Sequence, residues 1–306
     1  MADEGRFRKA EAKLWASLDL KPDETFVTMR RIGTKARVQS VGEGPPILLV
    51  HGGGISGASW APLVAELSNF RCHMLDQPGC GLSERPADMT SLDELTKFAD
   101  AMISDCLDGL GIDRAHIIGT SLGGFMTVRG AAAHPERVDR MAQIGATFGS
   151  PMEHIPFVMR LGSVGPMPKL MARMPANRTA VLGMLRQIGL KDALASGRIS
   201  EPFIEWFVAN LKYTDTMING LALPAIIDMG GMRPEVILSD ELLGSIEAPT
   251  HFIWGDNDPM ADADVARSFV SKFPNAELEL WPSVGHAPWI DHPVRAASSV
   301  GEFFTQ

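Results

Sequence analysis

Apolar residues along this chain form short runs that alternate with helical stripes. Residues 25–42 hold two apolar-rich stretches separated by the Ile32-Gly33-Thr34 turn, and this pattern predicts an antiparallel hairpin. Ile47-Leu48-Leu49-Val50 is a continuous apolar run, typical of a strand buried on both faces of a parallel sheet. Further strands are predicted around Cys72–Leu75, His116–Ile118, Arg140–Ile144, Thr250–Trp254 and Leu278–Trp281.

Helical periodicity fills the stretches between these strands. Near Leu92–Leu110 one apolar face recurs at helical spacing, and it consists of Leu95, Phe98, Met102, Cys106 and Leu110. Further helices are predicted over Trp60–Leu67, Leu122–Ala133, Asp262–Phe273 and Pro293–Phe304, with a short amphipathic one near the N-terminus burying Phe7, Leu14 and Leu18. Alternating strands and helices predict right-handed βαβ units and a parallel sheet, hence an α/β fold.

The alternation stops near Gly149. From about residue 151 to residue 243 the pattern is helical, without a clear strand, and rich in Met, Gly and Pro. The methionines of this stretch are Met152, Met159, Met167, Met171, Met174, Met184, Met217, Met229 and Met232. We interpret residues 150–245 as a helical cap inserted between two parts of a core domain, 1–149 and 246–306. Methionine is flexible enough to mould a cap around an apolar substrate, but it equally fills an irregular helical core.

Composition narrows the possible classes of function. A chain of 306 residues with 45% hydrophobic and 21% charged residues is typical of a soluble globular protein. The net charge of −9 argues against nucleic acid or an anionic membrane as partner, since both require clustered Lys and Arg. Three cysteines without a CxxC pair favour a reducing compartment. With no signal peptide and no apolar run near ~20 residues, we expect a cytoplasmic protein. The composition leaves open whether the protein forms a homo-oligomer.

A candidate nucleophile lies in the segment Gly119-Thr120-Ser121-Leu122-Gly123, which has the G-x-S-x-G spacing of a nucleophile elbow. The bare pattern is weak in a chain with 30 glycines. Its context strengthens it, because a predicted strand ends at Gly119 and a predicted helix begins at Leu122. Such a turn lifts the serine hydroxyl above the sheet, at a helix N-terminus that favours negative charge.

A serine nucleophile needs a general base and an acid to orient that base. His286 follows the last predicted strand on a Gly- and Pro-bounded loop, so it lies at the same sheet edge as Ser121. Asp258 follows the strand after the cap, so it is also expected at the sheet edge that carries Ser121. Asp256 is a rival, since neighbours two apart in an extended loop face the same way.

Backbone donors for an oxyanion are predicted in His51-Gly52-Gly53-Gly54, after the first buried strand. We assign them to the N–H groups of Gly53 and Leu122. His51 is expected to pack or hydrogen-bond beneath this turn. A phosphate-binding role for this glycine-rich turn is poorly supported, because the turn has neither the G-x-x-x-x-G-K-[ST] nor the G-x-G-x-x-G pattern.

The chain resembles the cap-bearing serine hydrolase branch of the α/β-hydrolase superfamily, from about residue 24 to the C-terminus. Five motifs in the family's order carry the resemblance: His51-Gly52-Gly53-Gly54, Asp76-Gln77-Pro78-Gly79-Cys80-Gly81-Leu82-Ser83, Gly119–Gly124, Trp254-Gly255-Asp256-Asn257-Asp258 and Gly285-His286-Ala287-Pro288. It implies a mostly parallel eight-stranded sheet and a Ser121–Asp258–His286 triad. In this family the acid lies three residues after the glycine of the W-G motif, which selects Asp258.

The resemblance implies hydrolysis of a carboxylic ester or lactone of an apolar small molecule, with neither cofactor nor metal. C–C bond hydrolases of ring-cleavage products are similar in size and in the HGGG turn. They usually carry Asn before the nucleophile and Pro-Gly-Ala after the glycines, where this chain has Thr120 and Ile55-Ser56-Gly57. A hydrolase-like ligand receptor is the third alternative. The residues expected to contact substrate are Gly54, Trp206, Tyr213, Met217 and Trp289, although such aromatic and Met residues are as often plain core.

Overall fold

The computed structural model describes residues 3–86, 91–152, 155, 157–165, 167, 170, 176–219 and 223–306. Of the methionines named above, Met171 and Met174 lie outside these residues. The strands are β1 (Asp23–Met29), β2 (Thr34–Val41), β3 (Pro46–Val50), β4 (Arg71–Leu75), β5 (Ala115–Thr120), β6 (Val138–Thr147), β7 (Ile227–Asp228), β8 (Gly231–Met232), β9 (Thr250–Gly255) and β10 (Ala276–Trp281).

Eight strands form one sheet in the order β1-β2-β4-β3-β5-β6-β9-β10. The β1–β2 hairpin is antiparallel, as is the pairing of β2 with β4, and every other pair in this sheet is parallel. The predicted hairpin and parallel sheet are confirmed. In this order β3 lies beside β5, so the glycine-rich turn after β3 and the serine after β5 emerge next to each other.

Helices cover both faces of the sheet. They are α1 (Glu4–Ala16), α2 (Ala61–Val64), α3 (Leu92–Leu110), α4 (Ser121–Ala133), α5 (Phe157–Gly162), α6 (Arg178–Gln187), α7 (Lys191–Ala195), α8 (Glu201–Tyr213), α9 (Thr216–Asn219), α10 (Leu223–Ile226), α11 (Asp240–Gly244), α12 (Ala263–Val270), α13 (Pro288–Asp291) and α14 (Pro293–Phe304).

The two faces of the sheet bury separate apolar clusters, and β3 contributes to both. Leu48 and Val50 pack with α3, α4 and α12, whereas Ile47 and Leu49 pack with α1, α2, α8 and α14. A strand whose successive side chains enter opposite cores must be apolar throughout. This explains the continuous apolar run in the sequence.

Two local predictions were wrong in detail. The helix predicted over Trp60–Leu67 is a 3₁₀ turn, Gly57–Trp60, followed by the single turn of α2. The described residues between β6 and β9, called the inserted segment below, form several helices, but they also contain the two-residue strands β7 and β8, which pair as a small antiparallel hairpin. Strands this short show no alternating pattern that a sequence could reveal.

The N-terminal helix α1 packs against α8 of the inserted segment. Phe7 and Leu14 are buried, as predicted, and so is Trp15. Leu18 lies beyond the end of α1 and packs half-buried against the same cluster. Across the described part of the chain, no helix combines the length and apolarity that a membrane crossing requires.

The pH dependence of stability is predicted from His73 on β4. Burial lowers its pKa to about 4, and its Nδ1 lies 2.8 Å from the Ser40 hydroxyl. Between about pH 6.5 and pH 4 the unfolded chain therefore binds a proton that the folded chain does not, so the free energy of unfolding falls as pH drops.

We expect the His73→Gln variant to lose less stability in acid than wild type. Between pH 7 and pH 4.5 its free energy of unfolding, measured by urea unfolding, should fall by about 2 kcal/mol less. His292→Gln, at a more exposed histidine, serves as control. An unchanged pH slope in His73→Gln would contradict this assignment.

Candidate active site

Ser121 occupies a strained turn between β5 and α4. Its φ is +54°, a left-handed conformation that a non-glycine residue adopts at a cost of about 1–3 kcal/mol. The turn also needs a small residue at Gly123, where a Cβ would lie 2.3 Å from the carbonyl oxygens of Val50 and His51. Ser121 stands at the first position of α4 and is 8% exposed. The turn thus has the shape of a nucleophile elbow.

A buried polar cluster holds the elbow from below. Gln143 on β6 donates from Nε2 to the Thr127 hydroxyl at 2.8 Å, and that hydroxyl donates to the Gly124 carbonyl at 3.0 Å. The backbone N–H of Phe148 donates to the Ser121 carbonyl at 3.1 Å. Sequence reasoning missed this cluster, although a glutamine within an apolar strand was an available signal.

The glycine-rich turn after β3 lies against the elbow. A Cβ on Gly52 would lie 3.1 Å from Ser121 Cβ, and one on Gly53 would lie 3.7 Å from Leu122 Cδ2. The two residues predicted to donate to an oxyanion are therefore neighbours in space. Gly54, with φ +73°, follows them and is half-buried.

His51 orients this turn. Its Nε2 accepts the backbone N–H of Gln77 at 3.0 Å, so its Nδ1 carries the proton and donates to the Gly52 carbonyl at 2.7 Å. Burial lowers the pKa of His51, which keeps the ring neutral in this tautomer. The Gly52 carbonyl and the Gly53 N–H belong to one planar trans peptide and point in opposite directions. Fixing the carbonyl therefore fixes the direction of the Gly53 N–H.

His286 and Asp258 form a buried pair. His286 Nδ1 lies 2.8 Å from Asp258 Oδ2, and both residues are 5% exposed. Asp258 Oδ2 also accepts the Ala146 N–H at 2.9 Å, while Oδ1 accepts the Met260 N–H at 2.9 Å. With an ionised Asp258, the proton of a neutral His286 lies on Nδ1, which leaves the Nε2 lone pair able to accept a proton.

Asp256 has a different partner. Its Oδ1 accepts the backbone N–H of Ser283 at 2.6 Å, which ties the loop after β9 to the loop after β10. Of the two aspartates that local spacing left open, the structure brings Asp258 to His286.

The serine and histidine loops meet at the carboxyl end of β6. A Cβ on Gly145 would lie 2.3 Å from the His286 carbonyl oxygen and 3.5 Å from Thr120 Oγ1. Gly145 thus lies between the residue preceding Ser121 and the backbone of His286. The elbow, the glycine-rich turn and the Asp258–His286 pair share one edge of the sheet.

The predicted substrate-contacting side chains lie in different surroundings. Trp289 follows the histidine loop, donates from Nε1 to the Ser59 carbonyl at 3.1 Å, and packs 4.7 Å from the Trp60 ring. Met217 is half-buried and packs against the apolar cluster that contains Trp60 and Trp289.

Two others lie where α8 meets the N-terminal helix. Trp206 is fully buried and packs against Phe203 and Phe207. The Tyr213 hydroxyl accepts from Arg6 at 3.5 Å. That these residues and Gly54 contact a substrate stays a prediction.

The cysteine thiols are poor nucleophiles in this structure. Burial raises the pKa of the three thiols, Cys72, Cys80 and Cys106, to about 12, so they are protonated near neutral pH. No group of three or more His, Cys, Asp or Glu side chains in the described part of the chain could hold a metal ion.

Comparisons with known proteins support the fold described above. A family model described as the alpha/beta hydrolase fold matches residues 45–188. Carboxylesterase CesB from Bacillus subtilis superposes with a TM-score of 0.74 at 22% identity, over 98% of both chains. The chain therefore has the α/β-hydrolase fold. A 2-hydroxy-6-oxo-6-phenylhexa-2,4-dienoate hydrolase from Rhodococcus superposes with a TM-score of 0.72 at 20% identity, over 94% of this chain and 99% of its own.

Curated sequence relatives extend over most of the chain. A protein of Cupriavidus pinatubonensis named 2-hydroxy-6-oxononadienedioate/2-hydroxy-6-oxononatrienedioate hydrolase is 29% identical, covering 86% of this chain and 89% of its own. A protein of Paraburkholderia phymatum with the same name is 27% identical, over 92% and 95%.

Proposed function

We propose that this protein is a serine hydrolase that cleaves a carboxylic ester or lactone of an apolar small molecule through an acyl-enzyme on Ser121. The observation that carries the proposal is the Asp258–His286 pair, placed at the same sheet edge as a serine held at φ +54°. Elbow, glycine-rich turn and oriented imidazole are the parts that acyl transfer requires.

In the proposed first step, His286 Nε2 removes the hydroxyl proton of Ser121 as its Oγ attacks the substrate carbonyl. The oxyanion is stabilised by the N–H groups of Gly53 and Leu122, each worth about 3 kcal/mol. His286 then passes the proton to the leaving alkoxide. Water, activated by the same Nε2, releases the acid and restores Ser121. Asp258 stabilises the imidazolium in both steps.

An apolar substrate body is proposed because residues 150–245 are rich in methionine, a flexible apolar side chain that can adapt to an apolar ligand.

C–C bond hydrolysis of a ring-cleavage product is the second candidate, and the names of the curated relatives favour it. It would use the same triad, but its leaving group is a carbon acid. A proton must then reach carbon as well as oxygen, which demands more of the site than ester cleavage. The residue before the nucleophile is Thr120, whereas C–C hydrolases usually have Asn there. This difference favours ester or lactone cleavage.

The test compares the two reactions directly. Wild type and Ser121→Ala would be assayed with p-nitrophenyl esters of increasing acyl length, with lactones, and for absorbance loss of a ring-cleavage product. Ester or lactone turnover that disappears in Ser121→Ala is the expected result. Turnover of the ring-cleavage product alone would replace the proposal by the second candidate. If the protein catalyses neither reaction, the result would favour a ligand receptor built on the same fold.

A further inference from the structure

The end of α6, in the inserted segment, lies directly on the histidine loop. The helix closes with a Schellman turn, in which the Leu190 N–H donates to the Leu185 carbonyl at 3.0 Å. Gly189 occupies the left-handed position of this turn with φ +86°. The carbonyl of the preceding residue, Ile188, accepts the backbone N–H of His286 at 2.9 Å. The proposed base is thus bonded to the inserted segment through its own main chain.

Two glycines meet at this contact, and neither has room for a side chain. A Cβ on Gly189 would lie 2.8 Å from Gly285 Cα and 3.3 Å from the Asn257 carbonyl oxygen. A Cβ on Gly285 would lie 2.7 Å from Gly189 Cα and from the Ile188 carbonyl oxygen. Gly285 precedes the proposed base and Asn257 precedes the proposed acid. The turn therefore touches the backbone of both loops.

The two loops are also joined to each other at this point. The Asn257 N–H donates to the Val284 carbonyl at 3.0 Å. A shift of the α6 turn would move the histidine loop, whereas the Asp258 carboxylate is held separately by the Ala146 and Met260 N–H groups. Such a shift would change the relation between base and acid.

We infer that Gly189 is a positioning residue of the active site: its backbone contact with Gly285 sets where His286 stands relative to Asp258. The inference rests on the proposed function. It gives the inserted segment a second role, because at the α6 turn this segment is part of the scaffold that holds the base.

The test uses Gly189→Ala with matched glycine controls. Gly197 also follows a helix of the inserted segment with a left-handed φ of +73°, but a Cβ there meets no heavy atom within 4 Å. Gly197→Ala therefore carries the same backbone strain without the contact. Gly183→Ala, within α6 and equally open, controls for the helix itself. We expect Gly189→Ala to lower kcat by about 10- to 100-fold with KM changed by less than about threefold, and both controls to retain wild-type kcat.

A second measurement does not depend on turnover. The His286 ring can be observed by ¹H–¹⁵N NMR in the free protein, with its signal assigned by its absence in His286→Gln. The chemical shift of its Nδ1–H reports the hydrogen bond to Asp258. We expect this chemical shift to be displaced in Gly189→Ala and to match wild type in Gly197→Ala. This separates the inference from the proposed function, since a protein that turns over no ester still reports the position of its histidine.

If Gly189→Ala does not fold, Gly189→Asn replaces it, because asparagine tolerates the left-handed conformation yet carries a Cβ. Gly197→Asn is then its control. A Gly189 variant whose kcat and His286 Nδ1–H chemical shift both match those of the Gly197 variant would overturn the inference.

Discussion

Replacing Asp258 by asparagine is expected to lower kcat by about 10⁴-fold. The carboxylate accepts three hydrogen bonds, from His286 Nδ1, from the Ala146 N–H and from the Met260 N–H. An asparagine has a single side-chain oxygen, so its NH₂ group must face at least one of these donors. Where it faces His286, the imidazole takes the Nε2–H tautomer and can no longer accept the proton of Ser121.

Asp256→Asn is the matched control for this prediction. Asp256 Oδ1 accepts the Ser283 N–H, and an asparagine oxygen can accept the same bond. We expect its kcat to stay within about threefold of wild type, with thermal unfolding used to confirm that both variants fold. If Asp256→Asn were the inactive one and Asp258→Asn retained activity, the acid would be assigned to the wrong residue.

The largest expected effect on stability comes from Arg37 on β2. Its buried guanidinium donates to both carboxylate oxygens of Glu11 on α1, at 2.5 and 3.0 Å, to Glu24 at 2.5 Å and to Asp76 at 3.4 Å. Burial alone would lower the pKa of Arg37, but Asp76, Glu11 and Glu24 raise it above its usual value. Arg37→Met would leave buried carboxylates without their counter-charge, so we expect the free energy of unfolding to fall by about 3–5 kcal/mol, measured by urea unfolding.

Two comparisons check the cause of that loss. Arg178→Met removes the exposed pair with Glu201 and should cost less than about 1 kcal/mol. Adding Glu11→Leu to Arg37→Met removes one stranded carboxylate and should restore part of the stability. A loss of less than 1 kcal/mol for Arg37→Met alone would show that the cluster is not a major source of stability.

The Arg37 cluster also reaches the active site. Asp76 accepts the Gly57 N–H at 2.7 Å and the Leu82 N–H at 3.0 Å, so it holds the segment that follows the glycine-rich turn. Through Arg37 and Asp76, the N-terminal helix is connected to the neighbourhood of the proposed oxyanion donors.

Local sequence pattern was sufficient where the chemistry depends on a short segment. The elbow around Ser121 is defined by its own neighbours, and the strands before Gly52, Ser121 and Asp258 are recognisable apolar runs. Since parallel strands present their carboxyl ends at one edge, Ser121, Asp258 and His286 could be placed together before any contact was known. The choice of Asp258 over Asp256 needed the family resemblance, because spacing alone left both open.

The sequence was less informative where function depends on contacts between distant segments. Glu11 lies on an amphipathic helix, and nothing near it shows that it is buried against Arg37. Gly189 can be recognised as a helix C-terminal glycine, but its contact with Gly285 depends on how the inserted segment docks on the core. For the same reason an aromatic side chain such as Trp206 could not be assigned to pocket or core from its type alone.

Covalent labelling of the nucleophile tests the proposed role of Ser121. Wild type and Ser121→Ala would be exposed to a fluorophosphonate probe, and any adduct would be located by peptide mass spectrometry. We expect an adduct on Ser121 in wild type and no adduct in the variant. An unlabelled wild type, or an adduct on another residue that persists in Ser121→Ala, would contradict the proposal that Ser121 is the nucleophile.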